Sequence, residues 1–267
     1  MIHLERDAMR VELDPAFGAR VTALWDKRGR EWLVTGPRDG EPGDTAPYGG
    51  AQSRGWDECF PTITPCQHPA WGLVRDHGLL WGRPWKVAAH GARAKATYAE
   101  ERFRFTRVLE LHGGALLASY EWENLSGRPL PWMWAQHCLL AARPGDRLAL
   151  EGLEGLRDEA GPVGWPVHRG RDLSAAEGPE AGFMLKAYAD APGAARAELR
   201  GEGGGLALSW EGVPAFGLWI SWGGWDGQHQ MAFEPATAPV DGLDLAVDPP
   251  VLPPGERAAW AVTVGLT

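Results

Sequence analysis

Alternation of apolar and polar residues runs through much of the chain. In Arg102–Leu109, Phe103 and Phe105 fall on one face and Arg102, Arg104 and Thr106 on the other. After a His112-Gly113-Gly114 turn, Leu116, Ala118, Tyr120 and Trp122 line one face while Ser119, Glu121 and Glu123 line the opposite one. A period of two marks a strand buried on one side. The same alternation recurs in Leu206–Trp210, Phe216–Trp222, Met231–Glu234 and Ala259–Val264. Val11–Leu13 and Arg20–Trp25 read as short strands, and Asp26-Lys27-Arg28-Gly29 as a tight turn before Trp32–Val34. Ser126-Gly127-Arg128-Pro129 turns the chain into Trp132–Leu140. Helical periodicity is nearly absent; Ala191–Leu199 could form a short helix but carries no good cap. No repeat of fixed period is visible, which argues against a solenoid or propeller.

Composition narrows this to an all-β class. The 36 glycines and 22 prolines of the 267 residues are spread along the chain beside 44% apolar residues. That much turn chemistry with that much apolar content suits many short strands. The stretch Gly40–Arg54, rich in Gly, Pro, Asp and Ser, reads as a long surface loop within one domain of antiparallel strands, a sandwich or an open barrel. A net charge of −9 argues against nucleic-acid or anionic-membrane partners, both of which need a basic face. The start, Met-Ile-His-Leu-Glu-Arg-Asp, lacks the apolar core of a signal peptide. The longest nearly apolar stretch, Leu130–Ala142, contains Gln136 and His137 and is shorter than the roughly 17 residues needed to span a bilayer. Three cysteines, Cys59, Cys66 and Cys138, form no disulfide framework, so the expectation is a soluble cytoplasmic protein. Nothing in the sequence indicates an oligomeric state.

The densest group of chemically able residues is Arg54-Gly55-Trp56-Asp57-Glu58-Cys59-Phe60-Pro61-Thr62-Ile63, followed by Cys66, His68 and the segment Asp76 to Trp85. Acids, a histidine, arginines and tryptophans set among Gly and Pro describe a loop-built site; the plainer alternative is a pair of surface loops with tryptophans packed beneath. Cys59, Cys66, His68 and His77 do not have zinc spacing, since six residues separate the cysteines and no second pair follows; two small buried hydrophobes explain them better. His137 lies in the otherwise apolar Trp134–Leu140, either as a satisfied core histidine or as a group projecting into a polar cavity. Glu234 ends an apolar run just before Pro235, where apolar surroundings would raise a carboxylate toward the range of a general base. An imidazole is its natural proton-transfer partner. No nucleophile elbow, phosphate loop, dinucleotide fingerprint or zincin motif is present.

Taken in order, these segments resemble the galactose mutarotase-like family of aldose 1-epimerases and related sugar epimerases, in its shorter bacterial form. The resemblance rests on Pro15-Ala16-Phe17-Gly18-Ala19-Arg20-Val21 with Leu24, on Trp56-Asp57-Glu58-Cys59-Phe60-Pro61-Thr62, on Asp76-His77-Gly78-Leu79-Leu80-Trp81, on His137 and on Phe233-Glu234-Pro235. It covers about residues 10 to 265, with 150–205 poorly matched. It implies a β-supersandwich with a sugar cleft on one sheet, a small-molecule sugar as partner, and interconversion of α and β anomers without metal or organic cofactor. Carried to matching positions, the family roles make Glu234 the base at the anomeric hydroxyl, His137 the acid at the ring oxygen and His77 a second histidine beside it. The family's Asn-Arg substrate pattern is absent; Arg54 and Asp57 occupy that part of the chain and are assigned to sugar hydroxyls. The mid-chain sugar contact is not placed, Asp158 and Asp172 being the candidates.

Tryptophan, 15 of the 26 aromatic residues, divides accordingly. Trp25, Trp122, Trp210 and Trp260 lie in strand-like runs and read as core. Trp56, Trp81, Trp85, Trp134 and Trp222 lie near the proposed acid, base and hydroxyl-binding groups, and Trp81 and Trp222 are assigned as substrate-binding walls. Three other readings stay open: a carbohydrate-binding protein without catalysis, a polysaccharide-cleaving enzyme on a related sandwich, and a phosphosugar mutarotase in which Arg54, Arg75 and Arg83 offset the acidic charge.

Overall fold

Two large antiparallel sheets take up the alternating stretches of this chain. The computed structural model describes residues 1–36, 48–49 and 52–267, so most of the Gly40–Arg54 loop lies outside the described residues. The ten-stranded sheet runs in the order Ile2–Arg6, Met9–Asp14, Arg20–Asp26, Trp56–Cys59, Ala135–Leu140, Gln228–Ala236, Ala215–Trp225, Phe183–Asp190, Glu154–Asp158 and Gly161–Pro162. The eight-stranded sheet runs Arg147–Glu151, Ala195–Gly201, Gly204–Trp210, Arg257–Leu266, Ala115–Asn124, Phe103–His112, Arg93–Ala99 and Lys86–His90. The architecture is the expected all-β sandwich. The described helical content is one short 3-10 turn, Pro179–Ala181. Among the described residues no helix is long and apolar enough to cross a membrane.

The segment Ala191–Leu199, open to a short helix in the sequence, instead enters the strand Ala195–Gly201 between Arg147–Glu151 and Gly204–Trp210. Its small residues Ala195, Ala197 and Leu199 alternate into the core, a period-two burial that a helix would break. On its other face Arg196 and Arg200 both pair with the Glu198 carboxylate, at 3.1 and 2.8 Å. These i and i+2 neighbours share one side of a strand. Trp32–Val34 forms isolated bridges in place of a regular strand, Leu33 pairing with Leu140.

Aromatic and aliphatic side chains fill the space between the sheets. Phe216 stacks on Trp210 at 5.5 Å, and Trp134 meets Tyr120 at 4.8 Å and Trp260 at 4.9 Å. One charged pair is buried among them. Glu58 Oε1 lies 2.8 Å from Arg107 Nη1 across the two sheets and also accepts from Trp56 Nε1 and Tyr120 Oη, while Oε2 accepts from Trp134 Nε1 at 2.8 Å. Burial pushes the Glu58 carboxyl upward, and Arg107 with the ring and hydroxyl donors pulls it back. Removing one partner would strand an uncompensated charge. Arg107→Met is therefore expected to lower the free energy of urea unfolding by about 3–5 kcal/mol, and Glu58→Gln in the same chain to recover part of that loss; an unchanged midpoint for Arg107→Met would show that the pair carries no such burden.

Candidate active site

The outer face of the ten-stranded sheet holds the cleft, and strand register decides what stands in it. Asp57 pairs with His137. Pairing of Ala135 with Ala236 and of Cys138 with Phe233 places His137 opposite Glu234. Glu234 in turn pairs with Gly217, and Gly217 with Tyr188. Asp57, His137, Glu234, Gly217 and Tyr188 thus form one row across five adjacent strands, each step about 4.8 Å. Lys186 and Trp219 occupy the next row. Gly217 keeps the middle of the row open: a Cβ there would sit 2.9 Å from Glu234 Oε2.

Loops close the cleft over that row. His77 follows Asp76 in a turn whose amide N–H groups bond back into the chain, His77 N to Ile63 O and Leu79 N to Phe60 O. His77 itself has φ 57°, and the next residue must be glycine because a Cβ on Gly78 would collide with the Phe60 carbonyl. Arg75 is buried under this turn. Its Nε donates to Gly78 O at 2.9 Å, another guanidinium nitrogen reaches Trp81 O, and its charge lies 4.5 Å from the Trp81 ring. The resulting cleft of about 280 Å³ is lined by Tyr48, Ser53, Ile63 and Thr64, by Asp76, His77, His137 and Lys186, and by Trp219, Trp225, Gln230, Glu234 and Asp241. That size suits a single small molecule.

Three of the residues expected to carry chemistry converge here. The His77 and His137 rings lie 4.7 Å apart, edge to face, and Glu234 is the neighbour of His137 on the next strand. Asp76 Oδ1 lies 2.7 Å from His77 Nδ1, and Tyr48 stacks on the His77 ring at 3.8 Å. Burial would raise the Asp76 carboxyl, but its bond to His77, the His77 charge and backbone amides hold it below the usual carboxylate range. Tyr48 Oη lies 3.3 Å from both His137 Nδ1 and Asp57 Oδ2. Burial pushes His137 well below the ordinary histidine range, and the nearby cations His77, Lys186 and Arg20 push the same way. Glu234 is buried; Oε2 lies 2.5 Å from Lys186 Nζ, whereas Oε1 has no hydrogen-bond partner among the described residues.

The residues expected to bind substrate stand elsewhere. Asp57 is ion-paired to Arg20 and meets the cleft residue Tyr48, without itself lining the cleft. Arg54 is half-buried and does not line the cleft. Trp81 is buried beneath Tyr48 and donates its Nε1 to Asp76 O at 2.7 Å. Trp222 projects into the sandwich against His229, because it is on the opposite face of its strand from Trp219. Trp56, Trp85 and Trp134 are likewise core, and Trp25 and Trp260, read as core, are half-buried. The cleft tryptophans are Trp219 and Trp225, whose rings meet edge to face at 5.7 Å. Asp158 and Asp172 do not line the cleft, and Asp172 pairs with Arg147. Cys59, Cys66, His68 and His77 do not assemble: among the described residues no group of three or more His, Cys, Asp or Glu is placed to hold a metal.

Sequence reasoning passed over Tyr48, Lys186, Trp219, Trp225 and Asp241. Trp219 was within reach, since in Phe216–Trp222 it has the parity opposite to Phe216, Leu218 and Ile220. Lys186 lies in a segment without a motif, and Tyr48 in a polar loop.

The sequence matches no protein-family model and no curated protein. Solved structures do match. A galactose mutarotase-like protein from Lactobacillus casei superposes with a TM-score of 0.75 at 16% identity, over 100% of both chains. A galactose mutarotase related enzyme from Lactobacillus acidophilus gives 0.73 at 12% identity, over 100% of this chain and 97% of the other. Galactose 1-epimerase from Lactobacillus acidophilus gives 0.63 at 14% identity, over 99% and 93%. Along its whole described length this chain has the fold of the galactose mutarotase-like proteins.

Proposed function

We propose that the protein is an aldose 1-epimerase-type isomerase that interconverts the anomers of a neutral, free aldose. The observation that carries the reading is the row that sets His137 beside Glu234, with His77 against His137, in one small cleft. Glu234 Oε1, buried and without a hydrogen-bond partner among the described residues, is the acceptor for the proton of the anomeric hydroxyl. As that proton leaves, the anomeric carbon–ring oxygen bond breaks, a carbonyl forms, and the ring oxygen takes a proton from an imidazole. The open aldehyde rotates about its first carbon–carbon bond. The same groups then run the transfers in reverse, so enzyme and proton count are restored. Proton transfer is the whole of this chemistry, and it calls on no cofactor.

The two imidazoles are not equivalent. The family pattern gives the ring-oxygen proton to His137, but burial and surrounding cations disfavour a charged His137. His77 has a carboxylate on Nδ1, which fixes the ring and supplies a counter-charge while it carries a proton; its Nε2 is the nitrogen left for the substrate. We therefore assign proton delivery to His77. His137, in contact with Tyr48 Oη, serves as a neutral hydrogen-bonding group. Trp219 and Trp225 offer flat apolar walls to the C–H face of a sugar, and Gln230, Asp241 and Thr64 offer groups for its hydroxyls.

The charge of the lining argues for a neutral sugar. Asp76, Glu234 and Asp241 face Lys186 and the histidines, and among the described residues no arginine lines the cleft. A phosphosugar would bring two further negative charges against that set.

Polarimetry of freshly dissolved α-D-glucose and α-D-galactose should show faster mutarotation with the protein than without it. Glu234→Gln should remove the acceleration while sugar binding, followed by calorimetry, survives; wild-type turnover in that variant would displace Glu234 as the base, and binding without turnover in the wild type would favour a carbohydrate-binding role. kcat/KM for glucose should exceed that for glucose 6-phosphate by at least about tenfold, a transition-state difference of about 1.4 kcal/mol; the reverse order would overturn the neutral-sugar assignment.

Histidine NMR gives a separate check. The His137 ring should stay neutral from about pH 8 to pH 5.5, an interval that covers the ordinary histidine pKa. Because the folded state holds His137 below its unfolded value of 6.5, its contribution to stability is full above that pH and fades as pH falls further. His137→Gln should therefore flatten the acid side of the stability profile. A His137 resonance that titrates near 6.5 would refute the neutral assignment.

A further inference from the structure

Lys186 has no counterpart among the groups expected from the sequence, yet it touches the central carboxylate of the cleft. Its Nζ lies 2.5 Å from Glu234 Oε2 and 3.8 Å from Asp241 Oδ1. The contact to Glu234 spans the intervening strand, where a side chain at Gly217 would intrude on the same carboxylate oxygen. Asp241 is itself secured. Tyr188 Oη donates to its Oδ1, and its backbone carbonyl accepts from Ile63 N and Thr64 N, both at 2.9 Å.

We propose that Lys186 is a positioning residue: anchored toward Asp241, it holds Glu234 by Oε2, so that Oε1 alone is presented to the anomeric hydroxyl. The proposal rests on the reading of Glu234 as the base. Its physical logic is that a carboxylate has two equivalent oxygens and a rotatable end, and proton abstraction needs one of them aimed. A buried carboxylate with no counter-charge would also be costly, and Lys186 supplies that charge without filling the substrate volume. Burial alone would lower the Lys186 ammonium, but Glu234 and Asp241 outweigh it and raise it above the ordinary lysine value.

The charged and titratable groups around Glu234 define what a pH experiment would read. Lys186 and Tyr188 come from the strand Phe183–Asp190, His137 from Ala135–Leu140 and Cys59 from Trp56–Cys59. Asp241, Asp76, His77 and Tyr48 come from the loops, with the Arg20–Asp57 pair behind Tyr48. Among the described residues, Lys186 pairs with Glu234 directly and Asp241 is linked to it through Lys186.

The test compares Lys186→Met, Lys186→Arg and Asp241→Asn with the wild type by initial-rate polarimetry on the most reactive aldose, from about pH 5 to pH 9. Lys186→Met should lower kcat at least about tenfold with KM within about twofold, the size expected for loss of aim. Without the ammonium the carboxylate holds a proton more strongly, so the acid limb should move to higher pH. Lys186→Arg should restore part of kcat and the original limb. Asp241→Asn leaves the ammonium to Glu234 alone, so its limb should move to lower pH. A Lys186→Met profile with the wild-type limb, or a loss of kcat that arginine does not rescue, would overturn the proposal. Should Lys186→Met fail to fold, the direction of the Asp241→Asn shift decides. A carbon-13 titration of the Glu234 carboxyl, which needs no turnover, reads the same displacement; if the wild type does not accelerate mutarotation, Glu234 loses its role as base while this titration still tests whether Lys186 holds it.

Discussion

Asp57 and Glu58 are consecutive carboxylates with opposite fates, because the strand that carries them is pleated. Glu58 turns inward and meets Arg107 between the sheets, while Asp57 turns outward toward Tyr48 and the cleft. The same pleat sends His137 outward and Trp134 inward, Glu234 outward and Phe233 inward, Trp219 outward and Trp222 inward. A slip of one residue in any of these strands would exchange a cleft residue for a core residue. Register across the central strands is therefore the constraint on which both the core and the site depend.

Two buried ion pairs hold that register from either side. The Glu58–Arg107 pair ties the sheets together where the cleft-bearing strands cross the core. The Arg20–Asp57 pair, outside the core, gives Tyr48 an acceptor and so sets the hydroxyl that faces His137. Neither pair needs to add much net stability to matter. Each makes the wrong arrangement expensive, since it would leave a buried charge without its counter-charge.

The cleft is organised as a set of single-purpose contacts. Asp76 occupies His77 Nδ1, Tyr48 packs over the His77 ring and touches His137, and Lys186 occupies one oxygen of Glu234. Among the described residues these contacts leave one imidazole nitrogen on His77 and one carboxylate oxygen on Glu234, the two atoms that the proposed proton transfers use. Glycine at 217 is part of this arrangement, since a Cβ there would crowd the Glu234 oxygen that Lys186 holds.

Much of this was legible in the amino-acid sequence. The alternation in Phe103–His112 and Ala115–Asn124 determined two strands of one sheet, and Gly and Pro content determined an all-β class. His137 and Glu234 stood out because each is a titratable group in an apolar run, and His77 because its segment resembles that of the sugar epimerases. Lys186, Asp241 and Tyr48 did not, because a lysine in a strand, an aspartate in a loop and a tyrosine in a polar stretch are ordinary locally. Their significance lies in contacts of Lys186 to Glu234, of Asp241 to Lys186 and of Tyr48 to His137, across 48, 55 and 89 positions of the chain. Trp81 and Trp222 were misplaced for a related reason: nearness in sequence to a site residue does not say which face of a strand or loop a ring takes. The sequence by itself determined the period of each strand and the inventory of groups; only the tertiary structure decided the register between strands, and register is a property of pairs that no single segment carries.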